Sequence, residues 1–428
     1  MAAPGPLPPV LHTLANGVRV VALPMPALQT ASVSVFVRCG SGHESARLNG
    51  IGHVIEHMAF KGTHTRDARQ INLDAERLGA EVNAHTDKDH TAFHMRGLAE
   101  HVPQLVAMLG DIVLGATFPD DELQRERAVV LHELAEDDDD AMSHAFKRMD
   151  AASFGSHALA RPVIGTRRNI ERFGRSDLVG HVQRHYTGAN VVVAAAGGLD
   201  VPALLRAAEG AFASLPTGQP NTLSAPAWLG GVRTKAQAGS SQTHLVMGLP
   251  IPPQQAGDPT AAVAAALLGE GMSSPLLDQL REQRALVYYA ACSADVIDSA
   301  GQLVIEASTG PDQLHECLQA LVGLLADQAE RIDPQDLERA KNQIRVRRLR
   351  GLEKPGRLLE EAALETLVMG RIRSRSDWLD QMAAVTAEQV RQAFATMLRA
   401  GPALAITGRV PRGSADHARE ALTALHRH

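Results

Sequence analysis

Two valine-rich stretches near the start of the chain predict β-strands. Both are β-branched and both end in turn-forming residues; they are GVRVVALP at residues 17–24 and ASVSVFVRCG at residues 31–40. Apolar residues then recur at helical spacing from about Gly52, and the same spacing returns at residues 68–80 and 101–116. The first part of the chain therefore predicts strands followed by helices.

A hairpin and a strand–helix pair complete the first half of the chain. Residues 80–98 alternate in character on both sides of a polar Asp-Lys-Asp, which predicts a β-hairpin. The run NVVVAAAGGLD at residues 190–200 predicts a late strand, and an amphipathic helix is predicted to follow at residues 201–216.

The pattern then breaks and restarts, which predicts two domains. Residues 217–231 are rich in Pro, Gly and small polar residues and are typical of a linker. The strand at Gln242 repeats the one at Thr30 at an offset of 212 residues, and Gly408 repeats Gly197 at an offset of 211. Similar offsets indicate an internal duplication, although a generic strand–turn–helix order could also produce them. We expect domains at residues 1–216 and 232–428, joined by the linker.

Composition narrows the classes of partner and compartment. The chain has 428 residues and a formal net charge of -6, so it offers no broad basic surface, and a nucleic-acid partner is not expected. Its three cysteines form no disulfide framework and no C-x-x-C pair, which favours a reducing compartment. The N-terminal stretch MAAPGPLPPVLHTLANG lacks the features of a secretory signal, and no apolar run approaches the ~20 residues that span a bilayer. We therefore expect a cytoplasmic protein that has no membrane partner.

Two histidines and a glutamate interrupt an apolar helical run at residues 50–63, GIGHVIEHMAFKGT. His53 and His57 are four positions apart, so both rings lie on one helix face and can reach one metal ion. Glu56 lies beside them and could take a proton from an attacking water. This H-x-x-E-H order reverses the better-known H-E-x-x-H arrangement of metal-binding residues on a helix. An ordinary helix face remains the alternative, but apolar flanks predict a buried helix whose histidines need partners.

A catalytic zinc site normally takes a third protein ligand. The helical segment ERAVVLHELAEDDDD, which starts at Glu126, offers carboxylates at Glu126, Glu133 and Glu136. Spacing alone does not choose among the three.

The run HVIEHMAFKGT resembles the zinc-site helix of the pitrilysin/insulinase family of metallopeptidases. In that family the third ligand is a glutamate about 76 positions after the second histidine, within a segment similar to ERAVVLHEL here. The resemblance therefore implies that Glu133 is a ligand. It also implies that Glu126 is a nearby carboxylate that does not bind the metal but helps to orient its ligands. It also implies an α+β fold of two homologous α/β sandwich domains, each a mostly antiparallel sheet covered by helices. One Zn²⁺ per chain is expected.

The resemblance extends to groups that bind substrate. The run EVNAHTDKDHTAFHM is similar to a family hairpin whose edge strand pairs with the substrate backbone, here at Asn83, Ala84, His85 and Thr86. Arg281 and Tyr288 match a family pair, in which the arginine holds a peptide carbonyl or carboxylate and the phenol donates to the oxyanion.

Two positions depart from the family pattern. Pro275 stands where many relatives carry arginine or a similar residue, which implies a changed loop shape or subsite preference. His85 stands where relatives often carry an aromatic or small residue, and it joins His90 and His94 in a histidine-rich hairpin. The alternation of side chains on strands and the lack of a clear acidic partner argue against a second metal site in this hairpin.

The resemblance implies a zinc endopeptidase that hydrolyses short or unfolded peptides in an enclosed chamber. Some relatives join four such domains in one polypeptide, so a two-domain chain is expected to form a homodimer. The alternatives are a non-catalytic structural subunit or an active subunit that needs a different partner chain. The intact zinc motif argues against the former, and the retained Arg281 and Tyr288 argue against the latter.

Overall fold

The computed structural model describes residues 7–351 and 353–425 and contains two β-sheets. The strands are β1 (Val10–Thr13), β2 (Arg19–Pro24), β3 (Thr30–Val37), β4 (Glu81–Thr86), β5 (Thr91–Leu98), β6 (Val191–Gly197), β7 (Gly231–Ala236), β8 (Thr243–Ile251), β9 (Val287–Val296), β10 (Gly301–Thr309) and β11 (Ala403–Gly408). The strands that were predicted from β-branched runs, and the hairpin β4–β5, are confirmed.

Helices account for most of the remaining structure. They are α1 (Ile51–Ala59), α2 (Ala68–Arg77), α3 (Val102–Leu114), α4 (Asp120–Asp139), α5 (Ala141–Phe154), α6 (Arg167–Arg172), α7 (Arg175–His185), α8 (Val201–Phe212), α9 (Thr260–Gly269), α10 (Pro275–Leu277), α11 (Leu314–Glu330), α12 (Pro334–Gly351), α13 (Pro355–Met369), α14 (Arg375–Ala384), α15 (Ala387–Ala400) and α16 (Ser414–Leu425). A π-helical turn at Asp278–Gln283 follows α10 directly.

Five strands of the first sheet, all except β1, have the same topology as the five strands of the second sheet. The first has the order β1-β2-β6-β3-β5-β4 and the second has the order β7-β11-β8-β10-β9. In each sheet one pair is parallel, β2 with β6 and β7 with β11, and every other pair is antiparallel. The strands that the sequence matched, β3 with β8 and β6 with β11, occupy equivalent places. The predicted α+β fold with an internal duplication is therefore confirmed.

Both faces of the first sheet are covered, which explains why its central strands are apolar at consecutive positions. One face packs Val33, Val35 and Phe93 against α1, α3 and α8. The opposite face packs Phe36 and Ala194 against α13. The second sheet is covered in the same way, by α9, α11 and α15 on one face and by α5 on the other.

The chain forms two compact units, and each contains a segment from the other half of the sequence. Unit 1 comprises residues 1–134, 162–223 and 349–373, and unit 2 comprises residues 135–161, 224–348 and 374–428. The change from one unit to the other at residue 223 lies inside the predicted linker. The sequence division into residues 1–216 and 232–428 differs from these units in the place of two helices. Helix α5, from the first half of the sequence, belongs to unit 2, and α13, from the second half, belongs to unit 1.

Within residues 7–351 and 353–425, every helix is too short or too polar to cross a bilayer. The first six residues of the N-terminal stretch, which entered the prediction of a cytoplasmic location, lie outside the described residues. That location stays a prediction.

Candidate metal and catalytic site

A buried carboxylate fixes the start of helix α1, which carries the H-x-x-E-H residues. Glu44 accepts hydrogen bonds from the backbone N–H groups of Gly50 and Gly52, each at 2.8 Å. A negative charge at a helix N-terminus satisfies otherwise unpaired N–H groups and interacts favourably with the helix dipole. Ile51 and Ile55 anchor the apolar side of α1 in the core of unit 1. Glu44 thus holds the start of the helix while the core holds its inner face.

His53 and His57 project from α1 toward Glu133 of α4. Glu133 Oε2 lies 3.7 Å from His53 Nε2 and 3.4 Å from His57 Nε2. The two imidazole rings have centroids 4.7 Å apart. One ligand atom from each residue lies within 4.8 Å of the others. The structure thus brings together the three residues that the resemblance named as ligands.

Glu126 lies behind His57, on the side away from Glu133. The His57 Nδ1–H group donates to Glu126 Oε2 at 3.1 Å, because a carboxylate can only accept. This bond leaves the Nε2 lone pair of His57 directed at the group with Glu133. Lys61 Nζ lies 2.7 Å from Glu126 Oε1 and compensates the charge of this buried carboxylate. Such contacts orient a ligating imidazole.

The donor set fits Zn²⁺. Two imidazole nitrogens and one carboxylate oxygen match the ligands of known catalytic zinc sites, which leave a further position for water or substrate. Each side chain of the three is partly exposed, so an ion and a substrate can reach the group. Glu136, the other carboxylate that spacing left open, is not part of this group.

Glu56 lies on α1 beside the three candidate ligands. Its Oε2 accepts a hydrogen bond from Thr86 Oγ1 of β4 at 2.7 Å. Burial raises the pKa of the Glu56 carboxyl above its usual value, and the Thr86 hydrogen bond opposes that rise. A carboxyl held in this way can act as a base and can also return a proton.

Removing the Thr86 hydroxyl is expected to shift the pH dependence of any reaction that uses Glu56 as a base. The hydrogen bond favours the charged carboxylate, so Thr86→Val raises the pKa of Glu56 further. A base works above its pKa, so activity is lost at a higher pH as the solution is acidified. The pH profile of kcat/KM measures this shift. Thr86→Ser, which retains a hydroxyl, is the control and should keep the wild-type profile; coincident profiles for all three proteins contradict the assignment.

Strand β4 is the outer edge of the first sheet, as the resemblance implied. The Ala84 N–H group donates a hydrogen bond to Asn83 Oδ1 at 2.9 Å. His85 faces away from Glu56, since side chains alternate along a strand; its ring nitrogens lie within 3.2 Å of His90 and His94. The backbone of β4, rather than the His85 ring, therefore lies beside α1.

An open groove of about 1210 Å³ borders β4 within unit 1. It is lined by β3–β5 residues and by residues 353–360 at the start of α13, and it includes Asn83, His85 and His94. The groove thus includes the side of β4 that carries His85.

Arg281 and Tyr288 lie together in unit 2. Arg281 is on the π-helical turn, and its guanidinium carbon is 6.0 Å from the centre of the Tyr288 ring. Tyr288 is on β9, the edge strand of the second sheet, and is 81% exposed. Pro275 begins helix α10, where its missing N–H is tolerated in the first turn. The predicted pair is thus adjacent and presented to solvent.

Glu44 and Lys61 were not predicted as site residues from the sequence. Glu44 contacts backbone groups six and eight residues later in the sequence, and Lys61 contacts Glu126 on another helix. Neither residue belongs to the H-x-x-E-H motif itself. Lys61 follows His57 by four positions, and this helical spacing was a usable indication that it lies near the site, although α1 itself ends at Ala59.

Two family models match successive parts of the chain. Residues 19–167 match the model described as Insulinase (Peptidase family M16), and residues 172–344 match the model described as Peptidase M16 inactive domain. The first match contains the H-x-x-E-H residues and Glu133, whereas the second half of the chain has no such motif.

Curated relatives match over nearly the full chain. An uncharacterized zinc protease of Mycobacterium tuberculosis is 31% identical and the match covers 98% of this chain and 97% of that protein. An uncharacterized zinc protease of Mycobacterium leprae is 32% identical over 88% of this chain and 86% of that protein.

Solved structures show the same fold. A protease from Helicobacter pylori superposes with a TM-score of 0.86 at 20% identity, over 94% of this chain and 99% of that chain. A Pseudomonas fluorescens structure described as a peptidase M16 inactive domain gives the same TM-score and identity over 95% and 99% of the respective chains. With two family models covering most of its length and relatives above 30% identity along it, the chain belongs to the insulinase family of peptidases, peptidase family M16.

Proposed function

We propose that this protein is a zinc-dependent endopeptidase that hydrolyses short or unfolded peptides. The observation that carries the proposal is the convergence of His53, His57 and Glu133 with Glu56 beside them. A damaged motif would be expected of a subunit without catalytic activity, whereas this group retains three candidate ligands and a candidate base.

The proposed chemistry divides between the metal and Glu56. When bound by His53, His57 and Glu133, Zn²⁺ supplies Lewis acidity that acidifies water and polarises a carbonyl group. Glu56 accepts the proton of the attacking water and then delivers it to the leaving amine nitrogen. Its raised pKa suits both tasks, because a strongly acidic carboxyl would hold the proton too weakly to deliver it. Thr86 keeps the Glu56 carboxyl in position between these steps.

Substrate is proposed to bind as an additional strand along β4. An edge strand offers unpaired backbone groups to an extended peptide, and Asn83–Thr86 form this edge next to α1. Thr86 bonds to Glu56, so the strand that would bind the peptide is tied directly to the proposed base. Only short or unfolded chains can adopt the extended form that this pairing needs.

Arg281 and Tyr288 are proposed to complete the site from a second subunit of a homodimer, which would enclose the reaction in a chamber. The exposure of Tyr288 supports this role, because a phenol in solvent is free to donate to an oxyanion. Both half-sites are present in one chain, so a symmetric dimer would contain two complete sites without a different partner.

Two inactive variants are expected to restore activity when their subunits exchange. Glu56→Gln keeps the Arg281 and Tyr288 pair, and Tyr288→Phe keeps the zinc site; the latter should lose roughly a hundredfold in kcat. A mixed dimer contains one intact composite site, about half of the wild-type complement. Peptide hydrolysis after exchange, which is followed by native mass spectrometry, measures the recovery.

The matched control replaces the Tyr288→Phe chain with one that carries both substitutions, and its mixture with Glu56→Gln should stay inactive. If exchange occurs and the first mixture also stays inactive, the shared-site dimer is wrong.

Metal analysis combined with cleavage of an internally quenched, unfolded peptide tests the proposed activity itself. We expect zinc in the purified protein, cleavage within the peptide, loss of cleavage on chelation, and its return with Zn²⁺. Protein that is loaded with zinc, forms dimers and still leaves such peptides intact would support the non-catalytic alternative.

A further inference from the structure

A second group of metal-binding side chains lies in unit 1, apart from the H-x-x-E-H residues. It consists of Cys39, which follows β3, and His181 and His185 on α7. The two histidines are four positions apart, so their rings lie on one face of α7, with centroids 4.6 Å apart and planes inclined by 43°. This spacing repeats that of His53 and His57 on a different helix.

Three donor atoms converge in this group. Cys39 Sγ lies 3.3 Å from His181 Nε2, and one ligand atom of His185 lies within 4.8 Å of both. Bonds of about 2.3 Å from zinc to sulfur and about 2.0 Å to nitrogen place tetrahedral ligands at separations of this order. Cys39 and His181 are buried, and His185 is partly exposed, so an ion can enter from that side.

The ring orientation of His185 is fixed by a neighbour outside the group. Asn221 uses its Nδ2 atom to donate to the carbonyl oxygens of Arg38 and His185, which identifies Oδ1 as its acceptor. His185 Nδ1 lies 3.1 Å from that oxygen and therefore carries the proton. The Nε2 lone pair of His185 is left available for an ion, an arrangement typical of metal-ligating histidines.

Burial favours the neutral form of both histidines, which is the form that metal binding needs. Burial lowers the pKa of His181 to about 3, and burial also lowers the pKa of His185. Neutral imidazoles keep a lone pair for coordination. Burial raises the pKa of the Cys39 thiol, but a coordinated cation deprotonates a thiol outright.

His43 lies near these rings but is not a fourth ligand. Its Nδ1 accepts a hydrogen bond from the Gly40 N–H group at 3.1 Å, so Nε2 carries the proton of the neutral ring. The group therefore offers three protein ligands and one open coordination position.

We propose that Cys39, His181 and His185 bind a second Zn²⁺, which joins the end of β3 to the end of α7. A simple thiol–imidazole hydrogen bond accounts for Cys39 and His181, but it leaves unexplained why a donor atom of His185 converges on the same two groups. One sulfur and two nitrogens form a donor set that zinc prefers over magnesium or calcium. The proposal does not depend on peptide hydrolysis.

Cobalt distinguishes this site from the first one, because only this site contains sulfur. Protein stripped of metal by a chelator is titrated with Co²⁺, and bound metal is counted after desalting. We expect two Co²⁺ per chain and a thiolate-to-cobalt charge-transfer band in the near ultraviolet. Cys39→Ser should lose that band and one Co²⁺, and His185→Gln should lose the same ion while keeping the thiol.

Two controls assign the band. Cys317→Ser removes a buried thiol of unit 2 and should leave the band unchanged. Glu133→Gln should reduce the metal count at the first site and also keep the band. Wild-type protein that binds Co²⁺ without a thiolate band overturns the proposal, whether or not the variants fold; so does a band that survives both Cys39→Ser and His185→Gln.

Discussion

Glu56→Gln is expected to bind zinc as wild type does and to lose peptide hydrolysis by roughly a thousandfold or more. The amide has nearly the shape of the carboxyl, and its oxygen can still accept the hydrogen bond from Thr86 Oγ1. It cannot take the proton of the attacking water. Turnover of the quenched peptide and zinc content of the same sample measure the two effects separately.

The zinc measurement is the internal control for this variant. Equal zinc in both proteins assigns the loss of turnover to the missing base rather than to a damaged metal site. Turnover above a few per cent of wild type, with normal zinc, would show that Glu56 is not the general base.

Glu133→Gln is expected to release the zinc of the H-x-x-E-H site, because a neutral amide is a far weaker ligand than a carboxylate. Glu136→Gln is the matched control: it makes the same chemical change three residues later on α4, at a residue outside the convergent group. Metal content after dialysis against metal-free buffer measures the difference. Any metal bound elsewhere contributes equally to both variants.

Hydrolysis should be lost together with zinc in Glu133→Gln and retained in Glu136→Gln. Equal zinc contents in the two variants would remove Glu133 from the ligand set. Zinc loss in Glu136→Gln alone would move the ligand one helical turn along α4.

Much of the fold was predictable because local pattern and burial agree. The alternation on both sides of residues 87–89 predicted the hairpin, and the repeated strand at Gln242 predicted the second sheet. The exchange of α5 and α13 was not predictable. Both helices have ordinary apolar faces, and nothing local in such a face specifies which sheet it will cover.

The candidate site was likewise predictable only where it depends on local sequence. Residues four apart on one helix are close by geometry alone, so His53 and His57 could be paired from sequence. Spacing left Glu126, Glu133 and Glu136 open, and family resemblance was needed to choose among them. The cluster at Cys39 was missed because its members come from distant segments. The H-x-x-x-H spacing of residues 181–185 was its one visible sign.

The exchange of helices also governs when the first unit can fold during synthesis. All strands of its sheet have been made by Gly197, but α13, which covers Phe36 and Ala194, begins only at Pro355. At ribosomal speeds this interval lasts roughly 8 to 30 seconds. One apolar face of the first sheet therefore stays uncovered until α13 has been synthesised. The nascent chain is most exposed to aggregation in that interval, and unit 1 reaches its final packing only late in translation.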